Sequence, residues 1–411
     1  MSKEYELRGF YKPNFFSIYI GGEFDKELKD MSLSDSGTFV HEYVHYLQNI
    51  TTSLGLRASS FYYTCLSDLM HFIANQHEII LPVKLAFNDG MQNNQLRFTF
   101  FDGEKNIFST PYKDIDCQIV DVVLSDTTLE LVQLNFHDSN SNRSIILGNR
   151  CVKESMASLY QRLFDNTIYP HDIPYNTVEL LCSILNPELL KDKRKIISLC
   201  YLSLSSQNSG LFLYELILES KKYNDLNGVT LYKKLFTIYP VSQGGNMMSI
   251  KSFLLNSIDL FRVNLNASLV SELNYFVDLL SNIRNTIKKG DIPLIDILYQ
   301  DTLSFEEKIN HLIAIYGIPI IRSQSGNIHL PSDSSEEVPA EEYVELMAQN
   351  IVFERVLGMT NNICGLIHIC QLDENMDVDE CCYEKQWNKA NQCPFRVFSD
   401  FIGLTDKLKE K

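Results

Sequence analysis

The sequence predicts an α+β fold, with a small sheet in its first part and a mostly α-helical C-terminal region. Stretches rich in β-branched and aromatic residues lie at 14–21 and within 80–135, and turn signals separate them. From about residue 148, apolar residues recur every three or four positions, which is the period of a helix face. The first such face comprises Val152, Met156, Leu159 and Leu163.

Two helices are expected before the predicted sheet. The first covers 35–56, where Asp35 or Ser36 is suited to cap the start and Gly55 to end the helix. The second covers 58–75. Further helices are expected near 187–205, 209–222, 249–263, 268–289, 304–316 and 340–357, with a hairpin at 318–331.

The length of the chain bounds its organisation. A chain of 411 residues is long enough for two or three domains, since one domain takes about 100–200 residues. The order of elements divides the chain into a core over 1–180, a helical region over 181–360 and a cysteine-rich C-terminal unit over 361–411.

The balance of charge argues against several classes of partner. Lys and Arg number 36 and Asp and Glu number 52, so the formal net charge is −16. A surface this acidic repels nucleic-acid phosphates and anionic lipids, so neither partner is expected. The sequence has no apolar secretory segment and no run long enough to span a membrane. With ten Cys and no such signal, we expect a cytoplasmic protein with reduced thiols.

One motif has a direct chemical meaning. His41-Glu42-Tyr43-Val44-His45 has the form H-E-x-x-H and falls inside a predicted helix. Two His side chains four residues apart lie one helical turn from each other, so both imidazoles can bind one Zn²⁺. The Glu beside the first His then lies near the open position of the metal, where it can act as a general base. The alternative is a buried helix whose two His are merely hydrogen-bonded.

This motif resembles that of the zincin superfamily of zinc metallopeptidases, and the resemblance implies a zincin-like catalytic core over 1–180. In metzincins a Gly and a third His follow the second His, but the corresponding positions here are Gln48 and Thr51. The motif is therefore more similar to that of gluzincins, which take their third ligand, a Glu, from a later helix.

The third ligand is expected to be Glu154. It lies on the predicted helix after residue 148 and is followed by the small residues Ala157 and Ser158, which allow another helix to approach closely. Gluzincin ligand helices are similar in this respect. Glu78 and Asp68 are the lesser candidates, and an ordinary solvated Glu154 is the alternative.

Peptide hydrolysis also needs a donor for the oxyanion of the tetrahedral intermediate. In many zincins a Tyr or His downstream of the third ligand supplies it. Tyr175 and His171 are the candidates in this sequence, and the alternative is that Tyr175 is an ordinary aromatic residue of a turn.

The C-terminal unit contains a second cluster of metal-binding residue types. Thiolates and imidazole are suitable ligands for structural zinc, but the absence of a C-x-x-C pair favours buried free thiols over a second Zn²⁺. The cluster comprises Cys364, His368, Cys370, Cys381, Cys382 and Cys393.

The sequence therefore predicts a cytoplasmic zinc-dependent metallopeptidase that cleaves a protein or peptide substrate, as an endopeptidase. His41, His45 and Glu154 would hold Zn²⁺, and Glu42 would be the general base. Large helical additions are compatible with a regulatory protein partner. Two alternatives stay open: a catalytically inactive zincin-fold sensor or scaffold, and a helical interaction protein in which the motif is a coincidence.

Overall fold

The computed structural model describes most of the chain. The residues described are 9–13, 16–25, 28–84, 99–124, 127–138, 142–243, 246–268, 274–325, 328–329, 340–359, 364–371, 376, 378–384, 386–389 and 392–409. Their secondary structure is α+β, with many helices and three small sheets, which confirms the predicted class.

The strands of the described residues, in chain order, are β1 (Gly9–Lys12), β2 (Ser17–Ile20), β3 (Asp114–Leu124), β4 (Thr127–His137), β5 (Asn142–Leu147), β6 (Pro240–Gln243), β7 (Asn246–Ser249), β8 (Ile320–Ser323) and β9 (Ile328–His329). The α-helices are α1 (Leu33–Thr51), α2 (Ser53–Asn75), α3 (Asn149–Phe164), α4 (Thr177–Leu185), α5 (Lys193–Ser203), α6 (Ser209–Ser220), α7 (Gly228–Ile238), α8 (Ile250–Ser268), α9 (Asn274–Lys289), α10 (Pro293–Asp296), α11 (Phe305–Tyr316), α12 (Ala340–Val356), α13 (Ile367–Cys370), α14 (Cys381–Glu384) and α15 (Pro394–Phe401).

The first sheet joins strands from distant parts of the sequence. Its order is β1-β2-β8-β9, in which β1 is antiparallel to β2 and β2 is parallel to β8. The predicted hairpin at 318–331 therefore supplies β8 and β9 to the N-terminal strands. A second sheet, β3-β4-β5, is an antiparallel meander that lies within and just after the predicted sheet region, although residues 99–102 in that region are helical.

The first two helices differ from the prediction at their ends. The N-cap of α1 is Ser32, whose hydroxyl accepts a hydrogen bond from the Asp35 N–H at 3.1 Å. Helix α1 ends at its C-cap, Thr52, and α2 begins at the next residue. Gly55 therefore lies in the first turn of α2 and does not end a helix. A Cβ on Gly55 would lie 2.4 Å from the Cα of Asn49, so glycine is needed where α2 closes against the end of α1.

Helix α1, which contains the H-E-x-x-H motif, is largely buried. Fifteen of its 19 residues are buried. The Tyr43 hydroxyl donates to the Gly317 carbonyl at 2.8 Å, and the Tyr46 hydroxyl donates to the Tyr316 carbonyl at 2.9 Å, so α1 is tied to the end of α11. These bonds satisfy the polar ends of two buried rings, which is the usual condition for burying Tyr.

One continuous buried core extends through most of the described chain. Its members run from Phe16 to Leu404 and include residues of all three predicted units. A small second cluster lies on β4 beside Phe101. No helix in the described ranges combines the length and apolar character that crossing a bilayer requires.

The corner between α1 and α2 gives a prediction about stability. Gly55→Ala should lower the free energy of unfolding by about 1–3 kcal/mol, because the added methyl overlaps the backbone of α1. Gly37→Ala in α1 is the matched control. The nearest atom to a Cβ built on Gly37 is 3.6 Å away, so this substitution in a helix should raise the free energy of unfolding by about 0.5–1 kcal/mol. The midpoint of urea denaturation measures both, and equal shifts would contradict the prediction.

Candidate metal centre

The candidate site lies where α1 packs against α3. His41 and His45 occupy successive turns of α1, and Glu154 lies in the second turn of α3. Ala157 and Ser158, one turn after Glu154, are 0% and 1% exposed, so the helix period puts small buried side chains on the same side of α3 as Glu154. The helix period and the small residues together bring the three polar side chains to one point.

The three side chains form a nearly equilateral triangle of potential ligand atoms. Nε2 of His41 lies 3.2 Å from Oε2 of Glu154, and Nε2 of His45 lies 3.3 Å from the same oxygen. The two Nε2 atoms are 3.2 Å apart. Tetrahedral bonds of about 2.0–2.1 Å separate two ligand atoms by about 3.3–3.4 Å, so the triangle has the size that one Zn²⁺ requires.

Gln48 determines which nitrogen of His45 faces this triangle. The Gln48 amide donates to the Lys153 carbonyl at 3.0 Å, which turns its oxygen towards Nδ1 of His45 at 2.9 Å. Nδ1 must therefore carry the hydrogen, and Nε2 of the neutral ring presents a lone pair to the other two ligand atoms. Lone pairs that converge on one point repel each other unless a cation lies between them.

The carboxylate of the triangle is held in its charged form. Burial alone would raise the pKa of Glu154, but the two imidazoles beside its carboxylate, that of His45 first, outweigh it and hold the pKa well below its ordinary value. An ionised carboxylate and two imidazoles are a donor set typical of catalytic zinc.

Glu42 lies in a different environment from Glu154. Its side chain is buried, and this burial raises its pKa to about 7, although the charge of His41 and a hydrogen bond from the Tyr11 N–H both act to lower it. Strand β1 therefore contacts Glu42 through its backbone. A Cβ on Gly9 would lie 3.1 Å from Cγ of Glu42, so glycine allows this edge strand to pack closely on α1.

The predicted oxyanion donors lie at different distances from the centre. The ring of Tyr175 is edge-on to that of His41, with 5.8 Å between the centroids, and Tyr175 lines the same cleft as the triangle. Nδ1 of His171 lies 3.3 Å from the Ser109 hydroxyl, and His171 is not among the described residues that line the cleft. The geometry therefore favours Tyr175 over His171 as the residue that can reach a substrate.

The lesser ligand candidates lie elsewhere. Glu78 pairs with Lys409 at 2.6 Å on the surface, and Asp68 is exposed on α2. Neither carboxylate lines the cleft in the described part of the chain. This leaves Glu154 as the candidate that the packing of the helices favours.

Among the described residues, the cysteines of the C-terminal unit do not form a comparable centre. Within the described ranges, the His41, His45 and Glu154 cluster is the one group of three or more His, Cys, Asp or Glu residues whose ligand atoms all lie within 4.8 Å. Burial raises the pKa of the Cys364 thiol to about 12, which favours the protonated form. The side chain of His368 lies outside the described residues, and the free-thiol interpretation stays the favoured one.

An open cleft of about 630 Å³ surrounds the triangle. Its walls come from β1, α1, the start of α2, residues 102–107 and the start of α3, with Tyr175 at one side. A space of this size accommodates several residues of an extended peptide.

Sequence reasoning missed two residues of this arrangement. The position of Gln48, three residues after His45, puts it on the same helix arc as His41 and His45, but the sequence alone assigns it no role. Tyr11 acts through its backbone N–H, which leaves no signature in the sequence.

Comparison with known proteins identifies no relative of this chain. No family model, no curated protein and no solved structure matches this chain.

Proposed function

We propose that this protein is a zinc-dependent metallopeptidase with a zincin-like core, and that it acts as an endopeptidase. One observation carries the proposal. Three ligand atoms of His41, His45 and Glu154 stand 3.2–3.3 Å apart at the wall of an open cleft, next to the buried carboxylate of Glu42. The H-E-x-x-H spacing and the α1–α3 packing support it independently of each other.

The donor set supports zinc over other common metals. Imidazole nitrogen and carboxylate oxygen at tetrahedral spacing are typical of catalytic Zn²⁺, whereas Mg²⁺ and Ca²⁺ prefer six or more oxygens. His41, His45 and Glu154 would hold the ion and leave a position open. Such an ion supplies Lewis-acid chemistry, since it polarises a peptide carbonyl and makes water easier to deprotonate.

The other residues would transfer protons and hold the reacting groups in position. Glu42 accepts the proton of the attacking water and later donates it to the leaving nitrogen. The Tyr11 N–H holds the carboxylate of Glu42 in place, and Gln48 holds the ring of His45. Tyr175 lies beside His41 and is the candidate donor to the oxyanion.

The position of β1 supports an extended peptide as the substrate. Strand β1 is at the end of the strand order β1-β2-β8-β9, and its residues Gly9, Phe10 and Tyr11 line the cleft. An edge strand binds an extended peptide by main-chain hydrogen bonds, which do not depend on a chain terminus. An open cleft beside such a strand favours internal cleavage.

Metal analysis tests the ligand set. Purified protein should contain about one zinc per chain, and His41→Ala/His45→Ala should lose it, because one remaining ligand does not retain zinc. Glu154→Ala should bind zinc more weakly, whereas Glu78→Ala and Asp68→Ala should keep it. A version with the tail cysteines replaced by Ser controls for zinc bound there. Full zinc content in the double His variant of that version would contradict the assignment.

The general base is tested by Glu42→Gln. Gln has nearly the same shape but accepts no proton, so peptide cleavage should fall by at least about 10²–10⁴-fold. Zinc content and thermal stability should stay unchanged, since Glu42 is no ligand in this proposal. Loss of zinc would make Glu42 a ligand, and full activity would favour the scaffold alternative.

The role of Gln48 is tested by a pair of variants. Gln48→Ala should weaken zinc binding by about 10–100-fold, because His45 loses the acceptor that fixes its tautomer. Gln48→Glu keeps an acceptor at this position, so its zinc affinity should stay closer to that of the unaltered protein. Competition with a chelator measures both affinities, and equal losses would show that Nδ1 of His45 does not depend on Gln48.

A further inference from the structure

We propose that the cleft selects peptides with an acidic side chain near the scissile bond, and that Lys105, Arg150 and Lys153 recognise its carboxylate. This inference rests on the proposed peptidase function and specifies the class of its substrate. The three cations line the cleft that contains the metal triangle. We call them the cationic wall.

The cationic wall has the opposite charge to the molecule as a whole. The chain has 36 Lys and Arg against 52 Asp and Glu. Apart from Glu42 and Glu154, Asp102 is the one acidic residue among the described residues that line the cleft, against three cations. The three carboxylates of the lining equal the three cations in number, but two of them belong to the proposed metal centre, so the wall itself presents positive charge to a ligand in an otherwise acidic protein.

The wall is built next to the metal centre. Arg150 and Lys153 are three residues apart at the start of α3, so they lie on one side of the helix, and Lys153 directly precedes Glu154. The positive end of the α3 dipole adds to their charge. An acidic group bound here would therefore lie close to the reacting bond.

The backbone that supports the wall is fixed at two points. The guanidinium of Arg150 donates to the Lys105 carbonyl, which ties residues 102–107 to α3. Close packing at Gly148 reinforces this contact, since a Cβ there would lie 2.5 Å from the Asp102 carbonyl. The Lys153 carbonyl accepts the hydrogen bond from Gln48. The wall is therefore preorganised, which reduces the cost of binding a ligand.

The charges of the wall are available to a ligand. No carboxylate of the described residues lies within ion-pair distance of Lys105, Arg150 or Lys153. Arg150 and Lys153 are half-buried and Lys105 is exposed. A half-buried guanidinium gains charge-assisted hydrogen bonds when a carboxylate arrives, and Arg binds carboxylates in bidentate fashion.

The carboxylate has two sources in a peptide, a Glu or Asp side chain and the free C-terminus. The open cleft and the edge strand beside it favour the side chain. The test uses a positional library of acetylated decapeptides in two forms, with amidated and with free C-termini. Cleavage products are identified by mass spectrometry.

The unaltered protein should cleave amidated peptides with Glu or Asp at one fixed subsite about 10–100-fold faster than the same peptides with Lys there. Lys153→Gln and Arg150→Gln should each reduce this preference, and Arg150→Glu/Lys153→Glu should reverse it, with zinc content unchanged. Lys191→Gln is the control, because this exposed Lys pairs with Glu188 away from the cleft. Since Arg150 also supports the backbone, Lys153→Gln is the variant that tests charge alone.

The outcomes separate this inference from the proposed function. Cleavage without an acidic preference, or a preference that needs a free C-terminus, would overturn the inference and leave the peptidase standing. If no peptide is cleaved, the peptidase proposal fails, and binding of fluorescein-labelled library pools by zinc-loaded Glu42→Gln decides whether the cationic wall selects acidic side chains in a bound peptide. Tighter binding of the Glu pool than of the Lys pool, lost in Glu42→Gln/Lys153→Gln, would support it, and equal binding would overturn it.

Discussion

The contact between α1 and α3 is the constraint on which the rest of the structure depends. It encloses a buried imidazole, a half-buried imidazole and a half-buried carboxylate at 3.2–3.3 Å from one another, a set of groups that is costly to desolvate without partners. Gln48 satisfies the outer nitrogen of His45, and the ionised Glu154 faces both rings. Small buried residues follow Glu154 on the same side of α3, and the distances within the triangle are those that the proposed zinc site requires.

The surrounding elements hold α1 in place from several sides. Tyr43 and Tyr46 bind it to the end of α11, Gly55 lets α2 close against its C-terminal end, and Gly9 lets β1 reach Glu42. Each of these contacts depends on a backbone atom or on the absence of a side chain. These contacts fix the position of the buried helix that forms one wall of the cleft.

Local features of the site were predictable from the sequence, and non-local ones were not. On any helix, the spacing of His41 and His45 puts the two side chains one turn apart on the same face. The small residues after Glu154 indicated a helix contact. The pairing of β2 with β8 was missed, because residues about 300 positions apart leave no local pattern that relates them. The break at Thr52 was missed as well, since a Gly nearby suggested a helix end where the structure needs close packing.

The parallel pairing of β2 with β8 has a consequence for the order in which the chain becomes functional during synthesis. Strand β1, which touches Glu42, is paired with β2, and the other side of β2 is occupied by Ile320–Ser323. The ribosome releases the helices that carry His41, His45 and Glu154 long before it releases β8. A nascent chain thus contains every residue of the proposed metal centre while the sheet that supports one wall of the cleft is still incomplete. Such a chain would assemble its cleft late, when most of its own translation is finished.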